Sequence, residues 1–388
     1  ENLLMFPRVL ALVFSTLSLV FGFSSTASEF SGSCSPPSPI QASIMSKRAV
    51  RSIRALTHGP METIDPFLFC VYHKDAYPAG NEKMEIPNKS GNGADFNPSA
   101  PYRFYHGKNI PGFPQHPHRG FETITATIDG IIDHADSKGN AGRYGFGDLQ
   151  WMHAGEGVVH GEMFPMLNTD KPNHTRFFQI WINLPSNQKM TKPDFEMHWA
   201  HQIKKWEAPD GNAKVTIWAG SFGGVETDCP APSNSWAADK GNDVSILHIT
   251  LKQSGEIELQ PSKNPKSKRA LYFIEGETIT IEGRDVKRAN PGTLIELDSS
   301  ATVKIRARDD PCEILLLQGV PIGEPVAQHG PFVMNTQQEI QQAFRDYQQT
   351  QFGGWPWNED AYVCPRNKGR FSLLDGKEDH PPKTEHGI

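Results

Sequence analysis

Two short pairs of side chains able to hold a metal ion stand out in this sequence. His116 and His118 lie two apart in Gln115-His116-Pro117-His118-Arg119-Gly120-Phe121-Glu122. In an extended segment that spacing sends both imidazoles to one face, where they can grip a single ion. Forty-two residues after His118, Val158-Val159-His160-Gly161-Glu162 repeats the device with an imidazole and a carboxylate. Brought together in a barrel, the two pairs offer three nitrogens and one oxygen, from His116, His118, His160 and Glu162. Iron(II) and manganese favour octahedral surroundings with mixed donors, so four protein ligands leave two positions for water, substrate or dioxygen. Ligand identity alone leaves cobalt, nickel and copper open. Structural zinc would more often recruit cysteine and close at four ligands, and no cysteine lies near either pair. An isolated H-x-H is usually a loop coincidence. Here Asp129-Gly130 and Gly139-Asn140-Ala141-Gly142 supply turns that can return the chain beside the first pair.

The elements that must position these residues are β-strands. From Pro66 onward, short apolar or alternating runs are divided by turn signals: Phe121 to Ile128, Ile131 to His134, Phe177 to Leu184, Lys214 to Trp218 and Val244 to Leu251. The series continues with Arg269 to Glu275, Thr278 to Ile281, Thr293 to Leu297, Thr302 to Ala307 and Glu313 to Gln318. Period-two runs of this kind predict an all-β architecture, sandwich or barrel, and no long amphipathic helices intervene to build a doubly wound sheet. Ala208-Pro209-Asp210-Gly211 marks a boundary between two β units of similar length. One helix is expected near the end, where Thr336 and Glu339 are spaced as a capping box before Ile340, Ala343, Phe344 and Tyr347. The division predicted is residues 1–55 as a targeting segment and linker, 56–207 as a metal-binding barrel, 208–350 as a second barrel with its closing helix, and 351–388 as a tail. The stretch after Asp375 lacks periodicity and is expected to be disordered.

The first 55 residues resemble an address. Val9 to Phe23 is a fifteen-residue uncharged stretch, preceded by Arg8 and followed by small residues including Ser25 and Ala27, the layout of a secretory signal. It is short for a membrane span, which needs roughly 20 apolar residues. A signal anchor is the alternative. Ser28 to Leu56 then carries eight serines, one acid and several arginines, as a transit peptide or linker does. The two in series suggest a bipartite route to a plastid through the secretory pathway, with a mitochondrial presequence as competitor. If Met45 is the true start, the signal disappears and the protein is expected in cytoplasm or nucleus. No membrane span is expected in the mature chain.

Composition removes other classes. With 388 residues and 37% hydrophobic content the chain has ample core for two domains, so disorder throughout is excluded. A net charge of −6 provides no global basic field for nucleic acid or an anionic membrane. The five cysteines are widely spaced and form no C-x-x-C pair, and Cys70 and Cys312 sit in apolar runs as small buried hydrophobes.

At the histidine pairs the sequence resembles the pirins, two-domain members of the cupin superfamily. His116-Pro117-His118-Arg119-Gly120-Phe121-Glu122-Thr123 is similar to the pirin form of the first cupin motif. Gly147-Asp148-Leu149-Gln150-Trp151-Met152, through Ala154-Gly155 to His160-Gly161-Glu162-Met163, is similar to the second, and Glu324-Pro325-Val326 with Gln328-His329-Gly330-Pro331-Phe332-Val333-Met334-Asn335-Thr336 to the segment before the C-terminal helix. Together these cover roughly residues 60–350. The resemblance implies two tandem cupin barrels, an iron site in the first, and a second that has lost its metal. It places the family's ligands on His116, His118, His160 and Glu162. The second half has only His248 and His329 between residues 215 and 330, which cannot rebuild the pair. His153 stands where the family often has a small hydroxyl residue, and is expected to be a satisfied loop histidine. Glu122 is expected to hold the tautomer of a ligand imidazole. Arg119, Gln150, Trp151 and Met152 are pocket candidates by adjacency.

The resemblance implies two functions. One is a quercetin 2,3-dioxygenase, which opens the flavonol ring with O2 and releases carbon monoxide, Glu162 serving as ligand and base. The other is a non-enzymatic, iron-dependent regulator that senses redox state and binds protein partners. A sugar-phosphate isomerase on the same fold would want a cationic phosphate clamp, and only Arg119 is near in sequence.

Overall fold

A computed structural model describes residues 49–87, 92–93 and 100–382. The predicted targeting segment up to residue 48 lies outside the described residues. The chain forms the expected two tandem β-barrels, each a pair of facing antiparallel sheets, with one α-helix among the described residues, Gln337–Thr350, near the C-terminus. Among the described residues no helix is long and apolar enough to cross a membrane.

The first barrel faces a five-stranded sheet against a six-stranded one. The five-stranded sheet has the order Asp194–His198, Leu149–His153, Phe121–Asp129, Asn173–Asn183 and Phe67–Tyr77. The six-stranded sheet runs Lys377–Asp379, Phe371–Leu374, Ala141–Gly145, Ile131–Asp136, Val158–Met163 and Gly112–His118. The strand periodicity in the sequence thus marks real elements, and alternation divides them: Ile124, Ala126, Phe178 and Ile180 turn outward, while Thr125 and Gln179 turn inward. The outward set joins Trp218, Ile246, Tyr272 and Leu315 in an apolar core shared by the two barrels.

In the second barrel a seven-stranded sheet packs against a four-stranded one over an interior of Val215, Ile217, Leu247, Ile249, Leu271, Phe273, Ile295 and Leu316. The helix closes over the first barrel's motif loop. Its capping box is present, with Thr336 Oγ1 accepting from the Glu339 amide and Glu339 accepting from the Thr336 amide. Arg119 pins it, donating to Asp346 at 2.6 Å and to the Glu156 carbonyl.

Both chain ends differ from the predicted division. Val50–Ala55, assigned to the linker, is a strand paired with Thr293–Leu297 at the edge of the second barrel's larger sheet. Its burial does not alternate with its sequence, since Ile53 and Ala55 are exposed together with Arg51 and Arg54, and Arg54 pairs with Glu296. The tail from Asp375 is likewise ordered through residue 382. Phe371–Leu374 pairs with Ala141–Arg143 and turns into Lys377–Asp379, adding two strands to the six-stranded sheet. The segment leading there is held by Arg143, which is buried against Asp133 at 2.6 and 2.7 Å and donates to the carbonyls of Cys364, Pro365 and Lys368. Such long-range pairing has no local periodic signature. Each end therefore crosses to the barrel that the other end of the chain builds.

Candidate metal centre

His116 and His118 sit on Gly112–His118, an edge strand, and His160 and Glu162 on its neighbour Val158–Met163. His160 pairs with His116, and Val158 with His118. The register then slips, so that Glu162 faces Phe113. Three residues on the edge strand span what two span on its partner, a bulge at Pro114 and Gln115. Proline is tolerated there because an edge or bulged position needs no ladder donor. Gly112 enters this strand at φ +131°, and a Cβ there would stand 2.4 Å from the Glu162 carbonyl oxygen.

The imidazoles of His116, His118 and His160 converge. Their nitrogens lie within 4.8 Å of one another, the one group among the described residues with the geometry to hold a metal ion. Ring centroids are 4.5 to 4.9 Å apart. Burial holds all three neutral: the His116 ring titrates at about 4, and His118 and His160 lie well below the usual imidazole range. His116 donates from Nδ1 to the Pro114 carbonyl at 2.9 Å, which leaves Nε2 with a free lone pair. Nδ1 of His118 and both ring nitrogens of His160 are buried without a hydrogen-bond partner. Neutral imidazoles with unpartnered nitrogens aimed at one point are the donor set a divalent transition metal requires, so the residues fit such an ion.

Glu162 is buried on the same strand, but its carboxylate is not part of that group. Oε1 accepts from Thr125 Oγ1 at 3.0 Å and lies 3.5 Å from the Tyr144 hydroxyl, and Oε2 accepts from Gln179 Nε2 at 2.7 Å. Burial raises its pKa above the usual carboxylate range, against the lowering influence of His134 and of those hydrogen bonds.

The neighbouring candidates divide. Gln150 is interior, accepting from the Tyr144 hydroxyl at 3.3 Å, with its Nε2 buried and unpartnered. Trp151 turns to the core between the barrels, Met152 packs with Val158 and Phe195, and Arg119 serves the helix. Glu122 does not touch a ligand imidazole. Its strand position turns it outward, where it accepts from Trp151 Nε1 at 3.1 Å, Ser235 Oγ at 2.6 Å and His153 Nδ1 at 2.7 Å. It therefore anchors the second barrel to the first. His153 is satisfied, but at a strand end, with Nε2 2.8 Å from Thr191 Oγ1.

Sequence reading passed over His134. It is fully buried, its ring centroid is 5.5 Å from that of His160, its strand position faces Glu162, and its nitrogens make no hydrogen bond, Nε2 lying 3.5 Å from Asp136 Oδ2. The signal was the alternation Ile132, His134, Asp136 along one strand face. Trp181, whose ring lies 5.4 Å from that of His118, was also missed.

A two-barrel β protein with a three-imidazole cluster confined to its first barrel belongs to the bicupin class. Residues 47–182 match the pirin family model, and residues 246–353 match the pirin C-terminal cupin domain. The chain belongs to the pirin family. It is 36% identical over 243 residues to a pirin-like protein of Caulobacter vibrioides, covering 63% of this chain and 81% of that one. It is also 36% identical over 251 residues to Pirin-1 of Arabidopsis thaliana, covering 62% and 78%. A Vibrio cholerae protein provisionally named a quercetin 2,3-dioxygenase is 34% identical over 246 residues, covering 61% and 79%. The fold is similar to the crystal structure of a quercetin 2,3-dioxygenase from Acinetobacter baumannii, with a TM-score of 0.61 and 22% identity over 79% of this chain and 96% of that one.

Proposed function

We propose that this pirin is a metal-dependent dioxygenase that opens the flavonol ring of quercetin or a close relative with O2, using Fe(II) held by His116, His118, His160 and Glu162. The observation that carries the reading is the set of buried, neutral imidazoles with unpartnered nitrogens beside a buried carboxylate of raised pKa. Relatives bearing the quercetinase name support the substrate class. When bound, the metal supplies Lewis-acid polarisation of a substrate oxygen and access to dioxygen chemistry.

The chain's own residues do the rest. Thr125 and Gln179 orient the Glu162 carboxylate, so that it takes the flavonol 3-hydroxyl proton at a fixed place. Burial of His118, His160 and Glu162 keeps bulk water from the reacting oxygen.

The regulatory reading has one observation in its favour. Arg119 follows His118 directly and ties it to Asp346 on the surface helix, a connection from the site to a face that a partner protein could touch.

Oxygen uptake with quercetin by protein reconstituted anaerobically with Fe(II) separates the two. Metal-dependent uptake with carbon monoxide release is expected. Glu162→Gln, compared per bound metal, should lose turnover by about 100-fold or more, because Gln keeps a carbonyl donor and loses the proton acceptor. Full Fe(II) occupancy without uptake above free iron, across several flavonols, would make the regulatory reading the better one.

A further inference from the structure

Trp181 carries a donor that the fold leaves without an acceptor. The indole N–H groups of Trp151, Trp199, Trp236, Trp355 and Trp357 each meet an oxygen, on Glu122, Asp379, Val320, Glu359 and Asp136. Trp181 Nε1 is buried and has no partner. Native proteins rarely leave such a group unpaired, because its hydration is lost without replacement. The position explains what it faces. Trp181 is two residues after Gln179 on the strand Asn173–Asn183, so it shares the inward face from which Gln179 reaches Glu162. Its ring stands edge-on to His118, with centroids 5.4 Å apart at 68°.

The surroundings suit a flat ligand. Phe69 stacks on Trp181 at 4.5 Å and Phe121 lies 4.3 Å away, so three rings form a wall beside His118. Phe121 and Trp181 are buried, and the wall is partly exposed only at its edge, where Leu68 and Phe69 pack against them. His116, the most open of the three imidazoles, marks the outer side of the cluster.

We infer that Trp181 is a specificity-determining residue, whose N–H donates to an oxygen of a planar aromatic substrate that lies against the edge of the Phe69–Trp181–Phe121 cluster beside His118. This rests on the flavonol reading and deepens it by naming the group that reads the substrate's oxygen pattern. The donor discriminates, because a ligand of the same shape without an acceptor at that place leaves the N–H buried and unpaired.

The test uses full-length protein loaded with zinc, so that binding is read without turnover. Quercetin is titrated and followed by its absorbance, with the indole N–H resonance of Trp181 followed by NMR. Trp181→Phe keeps a ring on the wall and removes the donor. We expect quercetin Kd to rise about 10-fold in the variant, with zinc content unchanged, and the wild-type indole resonance to move downfield on titration. In Fe(II)-loaded protein KM should rise with kcat within about twofold. Equal Kd for the two proteins, or an indole resonance that does not move while quercetin binds, overturns this inference and leaves the flavonol reading standing. A fully metal-loaded wild type that binds no flavonol overturns both. The NMR measurement stands on wild-type protein alone, so a poorly folded variant would not rescue the idea.

Discussion

The two barrels are built on one plan and filled in opposite ways. The second is packed with aliphatic side chains from both sheets, among them Leu247, Ile249, Leu271, Ile295, Ile305 and Leu316. The first gives the corresponding space to four imidazoles, a carboxylate, two glutamines and a threonine, and leaves nitrogens of His118, His134, His160, Gln150 and Trp181 buried without a hydrogen bond. Each such group costs about 1–3 kcal/mol. A fold indifferent to function would have replaced them with aliphatics, as the second barrel does. The contrast locates the chemistry without reference to any relative: unpartnered polar atoms gather inside the first barrel, whereas the interior of the second is aliphatic.

The comparison is tested most strongly by one substitution in each barrel. Leu271 is fully buried in the second, and Leu271→Ala should lower unfolding free energy by about 2–5 kcal/mol while leaving metal content unchanged. His160→Ala should do the reverse, weakening metal affinity by more than about 100-fold. The melting temperature of the metal-free protein should stay within about 4 °C, because the change also removes two unpartnered nitrogens. Metal analysis after desalting and denaturant unfolding read both. Similar metal loss in the two variants would erase the distinction.

The same contrast explains what the sequence disclosed. Strand runs such as Arg269 to Glu275 and Thr293 to Leu297 were visible because an aliphatic filling writes its period directly into the chain. The pairing of His116 and His118 with His160 was visible because extended spacing puts alternate residues on one face. The bulge at Pro114 and Gln115 was not, so the offset between Glu162 and the imidazole group had no sequence signal. His134 was hidden because a single histidine among Ile132 and Asp136 looks like any alternating strand, and only the pairing of that strand with Val158–Met163 brings it to the site. Glu122 was misjudged because its face depends on which sheet its strand joins. The ordered tail was missed because Arg143, which holds it, is more than 200 residues away in sequence.

Acid should separate the barrels next. His73 stacks on Phe177 inside the first barrel and donates to the Tyr105 hydroxyl, which in turn donates to Asp75. Burial, aided by the nearby Arg103 charge, pushes its pKa down to about 3. The unfolded imidazole protonates near 6.5, so below that pH the unfolded state binds a proton that the folded state refuses. Stability is lost as pH falls, by about 2 kcal/mol between pH 7.5 and pH 5 from this residue. His73→Asn, which keeps a donor near the Nδ1 position, should flatten the acid slope of unfolding by that amount. An unchanged slope would mean that His73 protonates without disturbing the barrel. Glu313 in the second barrel also loses stability as pH falls, but in a lower window. Burial pushes its carboxyl up, but His248 and Arg176 hold it down at about 2, so its contribution is present above pH 4.5 and lost only towards pH 2.

The smallest effect is expected where the barrels meet through charge. Arg176 of the first barrel donates to both Glu313 oxygens of the second, at 3.0 and 2.8 Å, and to the Tyr72 hydroxyl at 2.9 and 2.7 Å. Arg176 and Glu313 side chains are 25% and 23% exposed, so water can take over part of each lost hydrogen bond. His248 remains as a partner for Glu313, 3.0 Å away. Beneath them the shared apolar core of Ile124, Phe178, Trp218 and Leu315 is untouched by the change. Arg176→Gln should therefore cost about 1 kcal/mol. It should raise hydrogen exchange on the facing strands Asn173–Asn183 and Cys312–Gly319 and leave metal affinity alone. A larger loss, with both barrels unfolding at lower denaturant and releasing metal together, would show that the ion pair rather than the apolar core couples the filled barrel to the metal-bearing one.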